Sequence, residues 1–171
     1  MTTQACVLPP QALLGRYCRD GSYTDCFVVE IADPTTLAGY VQAFYTSWLF
    51  KLERFVLALA ARPSSDLQAI DLAAGKGRVF AAWEVEARTV DQLLMRDMTG
   101  RTRSWFMVDR TAGITRLYFG SAVTASRRTA SEPAVIPVVY RALTGLHKVY
   151  SRALLAAAVK RLQQCIAVVS Q

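Results

Sequence analysis

The stretch between residues 79 and 123 constrains the fold most, because it reads as four strands joined by short connections. In residues 79–88 apolar and polar side chains alternate, which is the pattern of an antiparallel strand with one buried face. Three further strand-like runs follow, at residues 93–98, 103–108 and 115–123. Connections this short join neighbouring strands directly, so the sequence predicts an antiparallel meander.

Two helices are predicted ahead of the meander. Asp33 is suited to cap the first, and apolar residues then recur at three- and four-residue spacing as far as residue 59. Ser64 or Ser65 caps a second, short helix that ends at Gly75, a residue suited to a left-handed helix terminus.

The remaining elements complete a single domain of 171 residues. Residues 1–20 are predicted to be irregular, residues 23–31 to form a strand, and residues 124–133 to form a loop. One long helix is predicted from about residue 135 to 168. This order predicts an α+β fold in which a curved antiparallel sheet wraps around the long C-terminal helix, with the two shorter helices closing one end.

Four short motifs lie on these predicted elements. They are carried by Trp83, Val85 and Glu86, by Leu93, Leu94 and Arg96, by Gly100, Arg101 and Trp105, and by Leu146 with His147. With the order of elements, they resemble a bacterial family of unknown function in the superfamily of START domains, polyketide cyclases and birch-pollen allergens (SRPBCC). Leu146 departs from that pattern, since the family has phenylalanine there.

The resemblance implies a helix-grip fold, the START-like arrangement in which the sheet grips the C-terminal helix. It also implies a cavity between sheet and helix that binds a hydrophobic or amphipathic small molecule. Cyclases and hydrolases occur in the superfamily, but the family supplies no catalytic residues and implies no cofactor.

The charge of the chain is unevenly distributed. Residues 91–171 hold twelve Lys and Arg against four Asp and Glu, within a net charge of +7 for the whole chain. Such asymmetry is compatible with a nucleic acid, a membrane surface or another acidic partner. The basic residues are scattered rather than clustered, so a solvated surface is the preferred interpretation and no nucleic acid is expected as a partner.

The expected cellular location depends on two kinds of segment, a transmembrane stretch and a signal peptide. The longest apolar stretch, residues 44–61, is interrupted by Lys51, Glu53 and Arg54, so no transmembrane segment is predicted. The N-terminal residues lack the features of a signal peptide, and a cytoplasmic protein is expected. A homodimer is left open.

The four cysteines, Cys6, Cys18, Cys26 and Cys165, match no metal-binding or redox motif. With a single histidine in the chain, no metal site is expected. The interpretation is reduced, mostly buried thiols, as is usual in a cytoplasmic protein.

The run from residue 95 to 105 raises the alternatives of an anion site and a hairpin turn. A two-residue turn at Thr99-Gly100 pairs Arg96 with Arg103 and places Asp97 within reach of Arg101 and Arg103. No helix N-terminus or glycine-rich nest accompanies the arginines, so the turn is preferred.

His147 is the most informative single residue, because it shares a helix face with Leu143, Tyr150 and Leu154. An imidazole there could bind a ligand's polar end or act in acid–base chemistry. The alternative is a histidine at the edge of the core, bonded to a backbone carbonyl or to Tyr118.

The leading hypothesis is a binding protein without catalysis of its own. The residues predicted to line its cavity are Trp83, Met95, Phe119, Leu143, His147 and Tyr150. The alternatives are a cyclase- or hydrolase-like enzyme using His147 with Tyr150 or Asp97, and a basic interaction module for an acidic partner.

Overall fold

The structure of the protein, a computed structural model, describes residues 2–20, 22–59, 63–111, 113–124 and 137–169, and within these it describes no side chain at 56, 59, 137–148 or 166–169. The strands in these ranges are β1 (Gln4–Ala5), β2 (Tyr23–Ile31), β3 (Val79–Phe80), β4 (Trp83–Arg88), β5 (Gln92–Asp97), β6 (Thr102–Thr111) and β7 (Ile114–Val123). The helices are α1 (Gly15–Arg19), α2 (Leu37–Tyr45), α3 (Trp48–Leu59), α4 (Asp66–Ala73) and α5 (Pro137–Val169).

The strands form one open antiparallel sheet in the order β1-β2-β7-β6-β5-β4-β3. The predicted meander is confirmed, because β4 to β7 pair in sequence, and the strand predicted at residues 23–31 is β2, which pairs with β7 along its whole length. The fold is therefore α+β, with a C-terminal helix and shorter helices beside the sheet. None of the helices in the described ranges is long and apolar enough to cross a membrane.

The single strand predicted at residues 79–88 is wrong, because the chain makes a tight hairpin at Ala81 and Ala82. Phe80 pairs with Trp83 across this turn, and Ala81 has a left-handed φ of 51°. As a result Phe80 is buried and Val79 is 60% exposed, the reverse of the predicted alternation. Alanine is a rare turn residue, so the sequence carried no signal for the hairpin.

The helix predicted to run from Asp33 to residue 59 is also wrong in two respects. Thr36, not Asp33, caps α2, and its hydroxyl accepts the Gly39 N–H at 3.1 Å. The helix then breaks before α3, where the Ser47 hydroxyl accepts the Phe50 N–H at 3.3 Å. Hydroxyl side chains compete with the helical backbone, which explains the break. Among the described residues between β2 and β3 there are therefore three helices rather than two.

The cap of the next helix is confirmed. The Ser65 hydroxyl accepts the Gln68 N–H at 3.2 Å, and the Gln68 side chain accepts the Ser65 N–H at 2.8 Å, which is a capping box. Gly75 follows α4 with a φ of +78°, as predicted for a left-handed terminus.

Both faces of the sheet are covered. We call the face against α2 and α5 the inner face, and its core includes Phe27, Phe106 and Phe119. The opposite, outer face is covered by the N-terminal residues, which contain β1 and α1 and lie in the segment predicted to be irregular. The outer-face core contains Ala12, Leu14, Cys26, Leu94, Trp105, Met107 and Ala122.

The buried Gln92 side chain fastens the N-terminal segment to the outer face. Its Oε1 accepts the Leu13 N–H and the Trp105 indole N–H, each at 2.9 Å, and its Nε2 donates to the Gln11 carbonyl at 3.1 Å. The amide is thus fully used in joining β5, β6 and the covering segment.

The turn after β5 has the predicted register, since Arg96 lies opposite Arg103, but it spans residues 98–101. Asp97 accepts the backbone N–H groups of Arg101 and Thr102 at 2.8 and 2.9 Å. The predicted pairing of Asp97 with the Arg101 and Arg103 side chains is wrong.

The Arg103 side chain instead lies on the outer face. Its Nε donates to the Tyr17 hydroxyl at 2.9 Å and to Glu86 at 3.1 Å, which joins α1 to the sheet. The Arg103 and Glu86 side chains are both mostly buried, so this ion pair holds the two side chains in one position.

Candidate functional site

A cavity of about 110 Å³ lies between the inner face of the sheet and α5. The helices α2, α3 and α5 and the strands β4, β6 and β7 all contribute to its wall. The residues that line it are Phe44, Tyr45, Phe50, Glu53, Trp83, Thr102, Ser104, Phe119, Ser121, Tyr150, Ser151 and Leu154.

Three of the predicted site residues, Trp83, Phe119 and Tyr150, lie in this wall. Met95 is on the same face but fully buried in the core, away from the cavity surface. Leu143 and His147 belong to α5, and their side chains lie outside the described residues. Ligand binding by any of the six stays a prediction.

Tyr118, the alternative partner considered for His147, is on the other side of the sheet. Its ring packs with the outer-face core and lies 6.2 Å from that of Trp105, whereas α5 covers the inner face. The Tyr118 hydroxyl is therefore not placed to bond a residue of α5.

Packed aromatic rings form the apolar floor of the cavity. The Phe44 ring lies 4.9 Å from that of Phe119 and 4.7 Å from that of Phe106, and the Tyr45 and Phe50 rings are 4.7 Å apart. Ring pairs at these separations stabilise one another beyond the area they bury. The floor is a fixed surface onto which an apolar group can pack.

The inner face changes from aromatic to polar along its strands. Asp25, Ser121 and Ser104 lie side by side on β2, β7 and β6, and we call these three residues the polar strip. Asp25 Oδ1 accepts the Ser121 backbone N–H at 2.9 Å and the Ser121 hydroxyl at 2.6 Å. Ser121 and Ser104 reach the cavity surface, and Asp25 supports Ser121 from behind.

Glu53 and Tyr150 connect α3 to α5 at the edge of the cavity. The Tyr150 hydroxyl donates to Glu53 Oε2, and Tyr150 is 36% exposed. Burial raises the pKa of the Glu53 carboxyl, and the hydrogen bond from Tyr150 partly offsets this increase. Burial and the neighbouring carboxylate raise the pKa of the Tyr150 phenol well above its usual range. The contact therefore joins α3 to α5 at the edge of the cavity, and Tyr150 stays protonated at neutral pH.

The polar groups at the cavity are mainly acceptors. A carboxylate, serine and threonine hydroxyls and a phenol line it, and no described lining residue is basic. Such a wall is complementary to a hydrogen-bond donor or a cationic group, because an anion would face Glu53 without a partner. The described residues also contain no cluster of His, Cys, Asp and Glu that could hold a metal ion.

The sequence interpretation missed Glu53 and the polar strip. Glu53 was noticed only as a charge that interrupts an apolar stretch. Asp25 carried a usable signal, since it is an acidic residue directly before the apolar run at residues 26–29 of strand β2. Buried carboxylates require a partner, so that position could have been marked as part of a polar site.

Searches against family models, curated proteins and solved structures find no match to this chain. The resemblance to the SRPBCC superfamily accordingly stays a prediction.

Proposed function

We propose that the protein binds a small amphipathic molecule in the cavity between the sheet and α5. The observation that carries the proposal is a cavity whose floor is aromatic and whose end is the polar strip with Glu53. An apolar group packs on Phe44 and Phe119, and a polar head meets Ser104, Ser121 and Glu53. Binding sites commonly combine an apolar wall with a few convergent polar groups.

The volume sets the size of the group that enters. An apolar cavity of about 150 Å³ accepts a benzene ring, so the 110 Å³ here is too small to enclose a ring and suits a short branched chain. The head is a hydrogen-bond donor, and an amine is the best match because it also neutralises the Glu53 carboxylate. We therefore propose small branched aliphatic amines and alcohols as the ligand class.

We also propose that the arrangement is a helix grip. In its support, α5 and α2 pack together on the inner face, and the cavity lies where the sheet meets the C-terminal helix. His147 and Leu143 would then extend the binding surface one to two turns before Tyr150. The proposal also includes a cytoplasmic location, for which the sequence is the only support.

Isothermal titration with isobutylamine, isobutanol and isobutyrate tests the proposal. The three probes share one isopropyl group and differ in the charge of the head, so we expect affinity to fall in that order. Ser104→Val removes a polar group and fills part of the cavity, and isobutylamine should bind it about tenfold or more weakly. The matched control is Thr111→Val, at the exposed far end of β6. Equal affinity of both variants, or no saturable binding to the unmodified protein, would refute the proposed site.

A second candidate is acid–base catalysis in the same cavity, favoured by the raised pKa of Glu53. A carboxyl whose pKa is shifted towards neutrality beside a phenol can exchange a proton with a bound substrate. This candidate predicts turnover of an ester or cyclisable substrate whose pH profile changes in Glu53→Gln.

The basic-module alternative receives less support. Arg103 and Arg116 are held in ion pairs with Glu86 and Glu30, and Arg96 pairs with Glu84. Paired arginines offer a weaker field to an acidic partner than the net charge suggests.

A further inference from the structure

Cys6 and Cys26 occupy directly opposed positions on neighbouring strands. The β1–β2 register pairs Gln4 with Val28 and Ala5 with Phe27. The next pair in this register is Cys6 with Cys26, and the Cys6 N–H donates to the Cys26 carbonyl at 2.9 Å. Hydrogen-bonded antiparallel partners have Cα atoms about 5.5 Å apart. Disulfides span Cα distances of roughly 4.4–6.8 Å, so this backbone already fits one.

The two sulfur atoms are in contact. Cys6 Sγ lies 3.0 Å from Cys26 Sγ, and both residues carry free thiols. A disulfide has its sulfurs about 2.0 Å apart, so small side-chain rotations bring them to bonding distance. The expectation of mostly buried cysteines is wrong for the other two, because Cys18 and Cys165 are exposed and only Cys26 is buried.

The two thiols differ in ways that suit a stepwise exchange. Cys6 is half-buried and lines two surface depressions of about 420 and 400 Å³, whereas Cys26 is 5% exposed. The hydrogen bond between them lowers the pKa of Cys6, and together with burial it raises the pKa of Cys26. Thiolate character and access thus coincide at Cys6, which is the combination that makes a cysteine reactive.

We propose that Cys6 and Cys26 form a dithiol–disulfide site that exchanges with low-molecular-weight disulfides of the glutathione class. The Cys6 thiolate attacks one sulfur of the small disulfide, whose S–S bond breaks, and one small thiolate leaves and takes up a proton. Cys26 then gives up its proton and attacks the Cys6 sulfur, which releases the second small thiol. Two protein thiols are oxidised to one disulfide, and one small disulfide is reduced to two thiols.

The bond has a structural consequence for the outer face. It links positions 20 residues apart and closes a loop that contains α1 and the residues held by Gln92 and Arg103. Oxidation therefore ties the covering segment to β2 covalently, and reduction leaves it held by hydrogen bonds and packing alone.

The test uses the full chain, reduced and desalted, then exposed to oxidised glutathione without oxygen. Samples are alkylated, digested with trypsin and analysed by mass. Cleavage after Arg16 and Arg19 places Cys6, Cys18 and Cys26 on three different peptides. We expect a loss of two hydrogens per chain and a linked pair of peptides carrying Cys6 and Cys26. The reaction at Cys6 should be faster than glutathione addition at Cys165, because the hydrogen bond with Cys26 lowers the pKa of the Cys6 thiol and a second thiol lies beside it.

Variants separate the two chemical steps. Cys26→Ser should stop at a stable glutathione adduct on Cys6, and Cys6→Ser should abolish the fast reaction. Cys18→Ser is the matched control, because Cys18 lines the same 400 Å³ depression and should leave the linked peptides unchanged. A linkage that includes Cys18, or adducts at all exposed thiols at equal rates without an internal disulfide, would overturn the proposal. Peptide mapping of the unmodified protein distinguishes these outcomes even where a variant folds poorly.

Discussion

Replacing Gln92 by leucine tests how the outer face is held together. The substitution removes one acceptor shared by the Leu13 and Trp105 N–H groups and one donor to the Gln11 carbonyl. The Trp105 side chain is fully buried, so its indole N–H loses its partner without access to water. An unsatisfied buried donor costs about 1–3 kcal/mol.

The other two groups lie nearer the surface and add less. Gln11 is exposed and Leu13 half-buried, so local opening can return their backbone groups to water at about 0–1 kcal/mol each. Leucine regains part of this by burying apolar surface. We expect a net loss of about 2–3 kcal/mol in the free energy of unfolding, which is close to a hundredfold in the folding equilibrium.

Urea unfolding of the two proteins measures this loss, and amide hydrogen exchange at Leu13 locates it. Gln92→Glu is the control, because a carboxylate oxygen can still accept both N–H groups while the donor to Gln11 is lost. The leucine variant should exchange the Leu13 amide faster than the glutamate variant, which keeps an acceptor for that N–H. A loss below about 0.5 kcal/mol with unchanged exchange would refute the anchoring assigned to Gln92.

Three further predictions concern single positions. Burial raises the pKa of the Glu53 carboxyl in the folded state, so the unmodified protein loses stability as the pH rises from the pKa of an unperturbed glutamate, about 4.3, through the pKa in the folded state. In thermal unfolding, Glu53→Gln should therefore be more stable than the unmodified protein at pH 7. The difference should vanish near pH 4. Gly120→Ala should lower the free energy of unfolding, measured in urea, by about 1–3 kcal/mol, because the added Cβ would lie 2.9 Å from Leu14 and 3.0 Å from Trp105. A change in this free energy of less than about 0.5 kcal/mol would contradict the packing at Gly120. Ala81→Gly should raise the melting temperature, because a φ of 51° costs alanine about 1 kcal/mol that glycine does not pay; a lower value would argue against the hairpin.

Much of the fold was predictable because its signals are local. The strand-like runs of β5, β6 and β7 with their short connections, and the cap at Ser65, each depend on a few neighbouring residues. The failures also have local causes. Ala81 turns the chain without glycine or asparagine, and Thr46 with Ser47 interrupts a stretch whose apolar spacing reads as one helix.

The site was predictable only where local periodicity decides which face a residue takes. Trp83 follows from strand alternation and Tyr150 from helical spacing, whereas Phe119 was proposed only as a large aromatic residue on a predicted strand. The polar strip does not follow in this way, because it requires knowing that β2 pairs with β7. The predicted meander brings residues 104 and 121 onto neighbouring strands, but Asp25 is 96 residues from Ser121 in the chain, and only long-range pairing makes these two neighbours.

Amide chemical-shift mapping by NMR during a titration with isobutylamine tests the central claim most directly. The account predicts saturable shifts concentrated at residues 102–104, 119–121 and 150–154, with much smaller shifts when isobutyrate replaces isobutylamine. Shifts that are absent, or that centre on exposed apolar residues of α3 such as Trp48 and Phe55, would contradict it.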